Sequence, residues 1–182
     1  MKKIKLVFGL GNEGEEFILT RHNIGKDIVK AYFKNPKSLS YSLYEKYQKI
    51  YLGTNLTYVN EGGKSVKELT SYLKLKPEEI LVIHDDADII FPFFKCTFGA
   101  GSGGHKGIES IIKSLKTKNF WRFRIGIQKK KREEAINLVL KRWSSKERKI
   151  VEKMIKKFKI IFDLLSERLP NELNLPKDFF VQ

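Results

Sequence analysis

Residues 78–89, Glu-Glu-Ile-Leu-Val-Ile-His-Asp-Asp-Ala-Asp-Ile (EEILVIHDDADI), decide how this chain folds. Four aliphatic residues, Ile80–Ile83, end abruptly in acids. A short apolar run without polar alternation reads as a buried strand of a sheet covered by helices. Such a strand delivers polar groups to the carboxyl edge of its sheet, where α/β proteins hold their ligands.

Upstream, Lys3–Leu10 (KIKLVFGL) reads as a strand, and Gly9, Gly11 and Gly14 mark a turn-rich loop after it. From Asn23 to Phe33, Ile24, Ile28, Val29 and Tyr32 recur at helical spacing. Residues 40–59 read as one or two strands, YQKIYL and LTYV, separated by Gly53-Thr54-Asn55. Ser65–Leu73 is helical through Val66, Leu69 and Leu73, and Pro77 closes that connection.

Downstream, FPFFKCTF (91–98) is a strand and GAGSGGHKG (99–107) a flexible loop opening into a short helix, Ile108–Leu115. FWRFRIGI (120–127) is a strand with alternating faces, and residues 128–143 form a basic, mixed segment. Ser144-Ser145-Lys146-Glu147 resembles a capping box for a long helix to about Leu169. Its apolar stripe, Ile150, Met154, Phe158, Ile161 and Leu165, reads as core. With no repeat and no linker, strands alternating with helices predict an α/β protein. The expected form is a single globular domain over residues 1–182, a twisted mixed β-sheet surrounded by helices with a long C-terminal helix.

A hydrophobic content of 41% beside 31% charged residues indicates a soluble, globular chain. No run approaches the ~18 apolar residues of a membrane span. The basic start is followed by a short, glycine-interrupted apolar stretch without a small-residue cleavage site, which argues against a signal peptide. The single cysteine, Cys96, excludes an internal disulfide framework and fits a reducing compartment, so a cytoplasmic location is expected.

Thirty-six Lys and Arg against 21 Asp and Glu give a net charge of +15, which favours capture of polyanions. Only seven of the 36 are arginines, the usual phosphate fork, so lysine enrichment that merely solvates the surface is the plainer alternative.

The three histidines, His22, His84 and His105, all fall at expected element edges beside glycine, Asn or Asp. An imidazole at position 22 suits proton transfer near neutral pH if a carboxylate orients its other nitrogen. Asp85 or Asp88 could supply it. The acids 85, 86 and 88 could instead solvate a strand end or hold Mg²⁺, and three histidines could bind zinc, although the usual close spacings are absent. Asn12 and Asn60 follow strands and suit gripping a peptide backbone or steering a water, though each alone also reads as a turn residue.

The loop 99–107 could cradle a phosphate, but it lacks the spacing of a Walker A or dinucleotide motif. There is no G-x-S-x-G elbow, and Cys96 lies inside an apolar strand. Water activated by a His–Asp pair is the simplest chemistry left.

VFGLGNEGEEFILTRHNIG, LTYVNEGGKSV, EEILVIHDDADI, GAGSGGHKGIESI and NFWRFRIGI, in this order and nearly end to end, resemble the bacterial peptidyl-tRNA hydrolase family. The resemblance implies cleavage of the ester joining a peptide to the 3′ ribose of tRNA. It makes His22 the catalytic base and Asp85 its orienting partner. Asn12 and Asn60 hold the substrate, with Phe17 and Tyr58 as further substrate-binding candidates. Lys95, Lys106 and Arg142 would grip the acceptor stem. The family works without metal or cofactor and as a monomer, and the partner implied is peptidyl-tRNA, through its acceptor stem and 3′ end.

Three departures stand out. Lys106 occupies the place of the asparagine in the usual GGHNG; an ammonium donates hydrogen bonds but accepts none. The expectation is that Lys106 reaches the phosphate or carbonyl side of the substrate and favours a neutral His22 by repulsion. Val59-Asn60 replaces the usual Met-Asn, a stiffer side chain at the cleft. The segment between His22 and Asn60 is shorter than usual, and the loop after RIGIQ is compressed around Lys129-Lys130-Lys131-Arg132. Lys106 keeps open a second reading, a non-catalytic RNA-binding relative. A metal-dependent nuclease or phosphatase is a third.

Overall fold

The computed structural model describes residues 3–181. In chain order they form β1 (Leu6–Gly9), α1 (Ile24–Lys30), β2 (Lys37–Ser38), β3 (Ser42–Tyr47), β4 (Ile50–Asn55), α2 (Gly62–Tyr72) and β5 (Ile80–Ile90), followed by β6 (Phe94–Phe98), α3 (Lys106–Leu115), β7 (Trp121–Gln128), α4 (Ala135–Leu138) and α5 (Ser145–Leu165). One seven-stranded sheet runs in the order β2-β3-β4-β1-β5-β7-β6. Its centre, β4-β1-β5-β7, is parallel, and antiparallel strands close both flanks. The expected mixed sheet among helices is present.

Alternation along the central strands feeds two separate cores. Val7, Leu81 and Ile83 pack with α1 and α5, whereas Leu6, Phe8, Ile80 and Val82 pack with α2 and α3. This is why β5 reads as an unbroken apolar run: helices cover both of its faces. The strand continues through the acids to Ile90 instead of stopping at them.

The β3–β4 hairpin is corrected relative to the sequence reading. Its turn is Gln48-Lys49, with Gln48 at φ 51° and Tyr47 paired to Ile50. Gly53-Thr54-Asn55 lies inside β4, where Gly53 marks close packing: a Cβ there would sit 2.8 Å from Leu69 Cδ1. LTYV is accordingly not a strand but the approach to a 3-10 turn, Val59–Glu61.

The capping box of α5 is formed: Ser144 Oγ accepts from the Glu147 N–H at 3.3 Å, and the Glu147 carboxylate accepts from the Ser144 N–H at 2.8 Å. The helix ends at Leu165, short of the expected Leu169. Leu169 precedes Pro170, and its ψ of 157° is the extended conformation that a following proline imposes. The buried stripe is Val151, Met154, Phe158, Ile161, Phe162 and Leu165; Ile150 is only half-buried. No helix among the described residues is long and apolar enough to cross a membrane.

Where β1 and β5 end, α1 begins at van der Waals limits. A Cβ on Gly25 would lie 2.1 Å from the Ile83 carbonyl oxygen, and one on Gly9 would lie 2.2 Å from the Gly25 carbonyl oxygen. Gly25→Ala is therefore expected to lower unfolding free energy by about 3 kcal/mol, the upper range of overpacking costs. Urea denaturation measures it, and an unchanged midpoint would refute the close approach.

Candidate active site

His22 sits in a 3-10 turn, Arg21–Asn23, between β1 and α1. The turn is clamped by the segment after α4: the Arg21 N–H donates to Lys141 O at 3.0 Å and the His22 N–H to Val139 O at 2.9 Å. Thr20 pairs with Arg142 as an isolated antiparallel bridge. Arg21 points into the interior, where Glu147 accepts from it through both oxygens at 2.8 Å and Trp143 lies under its guanidinium at 4.4 Å. The next side chain along the turn, His22, reaches the edge of the sheet instead.

There its Nδ1 lies 2.8 Å from Asp85 Oδ1. The same oxygen lies 2.9 Å from Nε2 of His105, the N-cap residue just before α3. A buried carboxylate only accepts, so both facing nitrogens carry protons. His22 then keeps Nε2 as its lone pair. Burial alone would raise the Asp85 carboxyl, but His22, His105 and their hydrogen bonds outweigh it and hold the group well below the usual carboxylate range. At His22 burial disfavours the imidazolium, yet the Asp85 charge and hydrogen bond prevail and raise its pKa above 6.5.

The acid trio does not converge. Asp86 Oδ2 accepts from Arg124 Nε at 2.7 Å, and Asp88 pairs with Arg132. Successive side chains of a strand leave on opposite faces, so Asp85 alone meets the histidines and the Mg²⁺ reading loses its ligand set. Ligand atoms of His22, Asp85 and His105 do lie within 4.8 Å of one another. Their facing nitrogens are occupied by protons shared with the carboxylate, so the cluster is a hydrogen-bond network.

His84 corrects the expectation of three edge histidines. It is buried within β5, its Nδ1–H donates to the Asp85 carbonyl at 2.6 Å, and burial followed by His105 pushes its pKa well below 6.5.

Asn12 is buried and spans two loops. Its Oδ1 accepts from the Val59 N–H at 2.7 Å, and its backbone N–H donates to Asn23 Oδ1 at 2.8 Å. Asn60, next to Val59, is exposed. Phe17 and Tyr58 meet edge to face, with centroids 6.1 Å apart, and Tyr58 is 55% exposed. Asn12 thus ties the loop after β1 to the turn that carries Val59 and Asn60.

The three cations lie on separate elements. Arg142 is exposed opposite Thr20, and Lys95 is exposed on β6, in register with Arg124. Lys106, 74% exposed, leans along α3 to Glu109 at 3.1 Å. The expected repulsion of the imidazolium by Lys106 is not found, because that charge is taken up on the helix surface and Asp85 governs His22. Burial lifts the Cys96 thiol to about 12, which leaves it inert.

Sequence reasoning missed the doubled bond on Asp85, because a cap position at 105 is invisible without the α3 boundary. It also missed Asn55, which exchanges hydrogen bonds with Gly11 across the strand ends, and the buried Lys26, whose ammonium meets Glu13 and the Asn55 carbonyl.

Fold and site together define an α/β protein with a histidine–aspartate pair at the carboxyl edge of its sheet. Residues 6–177 match the profile described as peptidyl-tRNA hydrolase. The chain belongs to the peptidyl-tRNA hydrolase family and is an enzyme of that type. It is 40% identical over 164 residues to the peptidyl-tRNA hydrolase of Aquifex aeolicus, covering 85% of each chain. To that of Persephonella marina it is 35% identical, covering 94% of this chain and 96% of the other. The crystal structure of peptidyl-tRNA hydrolase from Acinetobacter baumannii superposes with a TM-score of 0.80 at 30% identity, covering 92% of this chain and 90% of the other.

Replacing Asp85 with Asn keeps the burial of His22 and removes the charge that opposes it. The His22 pKa, above 6.5 in the parent, is expected to fall below 6.5 in Asp85→Asn. An NMR titration of the ring decides this, and a value still raised in the variant would show that Asp85 is not the cause.

Proposed function

We propose that the chain cleaves the ester between the peptide and the 3′ ribose of peptidyl-tRNA by general-base catalysis from His22. The observation that carries this reading is the 2.8 Å bond from His22 Nδ1 to Asp85, which leaves the lone pair on Nε2. Nε2 takes a proton from a water whose oxygen attacks the ester carbonyl. Asp85 fixes the tautomer and stabilises the imidazolium that forms. On collapse of the tetrahedral intermediate the bond to the ribose oxygen breaks, and the imidazolium returns its proton to that oxygen. The products are a free peptide carboxylate and free tRNA.

A general base contributes ~10²–10⁴-fold, so alignment of the substrate supplies much of the remainder. Asn12 and Asn60 hold the peptide backbone and its carbonyl next to the water. Phe17 and Tyr58 give the peptide an aromatic wall. Because backbone contacts dominate, peptide sequence matters little. Lys95, Lys106 and Arg142 attract the acceptor stem. The enzyme acts as a monomer in the cytoplasm, without metal or cofactor. A non-catalytic RNA-binding relative fits less well: a binder has no need of a buried carboxylate that aligns an imidazole.

Turnover of a defined peptidyl-tRNA in EDTA by the parent, and its loss by at least about 10²-fold in His22→Ala, is the expected result. Activity restored only by added divalent metal would select the metal-dependent alternative, and parental turnover by His22→Ala would remove the base. Lys106→Asn is expected to lower kcat/KM and to flatten the slope of log K against log salt by ~0.9 if it touches one duplex phosphate. A large rise in kcat would instead refute the reading that Lys106 is adapted to this substrate.

A further inference from the structure

His105 does two jobs with one ring. It is the N-cap of α3, and its Nδ1 accepts from the backbone N–H groups of Gly107 at 3.2 Å and Ile108 at 3.3 Å. A nitrogen that accepts two N–H groups bears a lone pair. The single proton of the neutral ring is then on Nε2, the atom 2.9 Å from Asp85 Oδ1. The opposite tautomer would aim a proton at two N–H groups and a lone pair at a carboxylate. The cap therefore selects the tautomer.

Capping does not itself call for histidine. Ser, Thr, Asp and Asn are the favoured N-caps and would satisfy the same donors. A ring with a second nitrogen adds something they lack, a donor that reaches past the helix end to Asp85. The helix start that carries this ring is held firmly. A Cβ on Gly107 would lie 2.7 Å from Leu10 Cδ2 and 2.9 Å from the Val59 carbonyl oxygen, so α3 begins hard against the end of β1 and the Asn60 turn. Asp85 Oδ1 thus receives one N–H from the turn between β1 and α1 and another from the α3 cap. The His22 and His105 rings stand 5.0 Å apart over it.

We propose that His105 is a positioning residue for the His22 base: fixed as its Nε2–H tautomer by capping α3, it holds the Asp85 carboxylate in the orientation that receives His22 Nδ1–H. This rests on His22 acting as the base. It also links the entrance of the cleft to that base, because Lys106 and the open glycine-rich loop before it flank the cap on either side.

Two variants separate the cap from the donor. His105→Ala removes both; His105→Ser restores a cap that cannot reach Asp85. The expected result is a thermal midpoint near the parent's for His105→Ser and a lower one for His105→Ala. In both, kcat falls by on the order of tenfold, part of the ~10²–10⁴ a general base supplies, while KM changes little. Long-range ¹H–¹⁵N spectra of the parent imidazoles are expected to place the His105 proton on Nε2. A proton on Nδ1 would overturn the proposal. So would a His105→Ser enzyme with parental kcat while His22→Ala is inactive, since His105 would then serve only the helix. Parental turnover in His22→Ala would instead remove the reading on which the proposal rests, and the tautomer measurement is independent of that outcome.

Discussion

A carboxylate taken out of water must recover its lost hydration from fixed donors, and Asp85 is nearly fully buried at the carboxyl edge of a parallel sheet. Among the described residues no lysine or arginine pairs with it. Its Oδ1 is met by two imidazole N–H groups, His22 and His105, and the main-chain carbonyl of the same residue is met by a third, His84. Imidazoles suit this better than a fixed cation would. A bidentate arginine would satisfy the charge and end the matter, whereas an imidazole passes the influence of the carboxylate on to a second nitrogen that can exchange protons.

The architecture is the means of bringing those rings together. Gly9 and Gly25 let α1 settle between β1 and β5, so that the turn before it overhangs the end of β5. Asn12 and Asn23 lock that turn to the loop after β1, and Asn55 ties the same loop to the end of β4. The long α5 takes part as well. Glu147, whose carboxylate closes the capping box, also grips Arg21, the residue before His22. Arg21 is buried and Glu147 only half-buried, so losing Glu147 would leave a buried guanidinium without its acid partner. The C-terminal helix is thus both core and anchor for the turn that carries His22.

The parts of this arrangement that were legible in the sequence are those written in local pattern. Ile80–Ile83 announced a two-sided strand, the capping box announced α5, and the acids at 85–88 announced an edge. Local pattern alone could not separate Asp85 from Asp88, which the resemblance did and the fold does through the pleat, sending Asp85 to the histidines and Asp86 to Arg124. The hairpin was misplaced because Gly53 looks like a turn residue, while its actual reason is the nearness of Leu69. The true turn uses Gln48 at positive φ, a conformation that residue type does not signal. Likewise His105 as a cap depends on where α3 starts, which the glycines before it obscure.

The scarcity of arginine, which weakened the case for a nucleic-acid partner in the sequence, takes on another meaning in the fold. Arg21, Arg122, Arg124, Arg132 and Arg148 each donate within the chain, to Glu147, Gly101 O, Asp86, Asp88 and Trp143 O respectively. Their planar forks are used up in fixing the strands and loops around the site, including the glycine-rich loop through Gly101. Most of the remaining positive charge is carried by lysines, which are compact, strongly hydrated charges that bind phosphate without reading it. That division suits a substrate class that shares one linkage and differs in every other respect. Long-range attraction of this kind is loose and salt-sensitive.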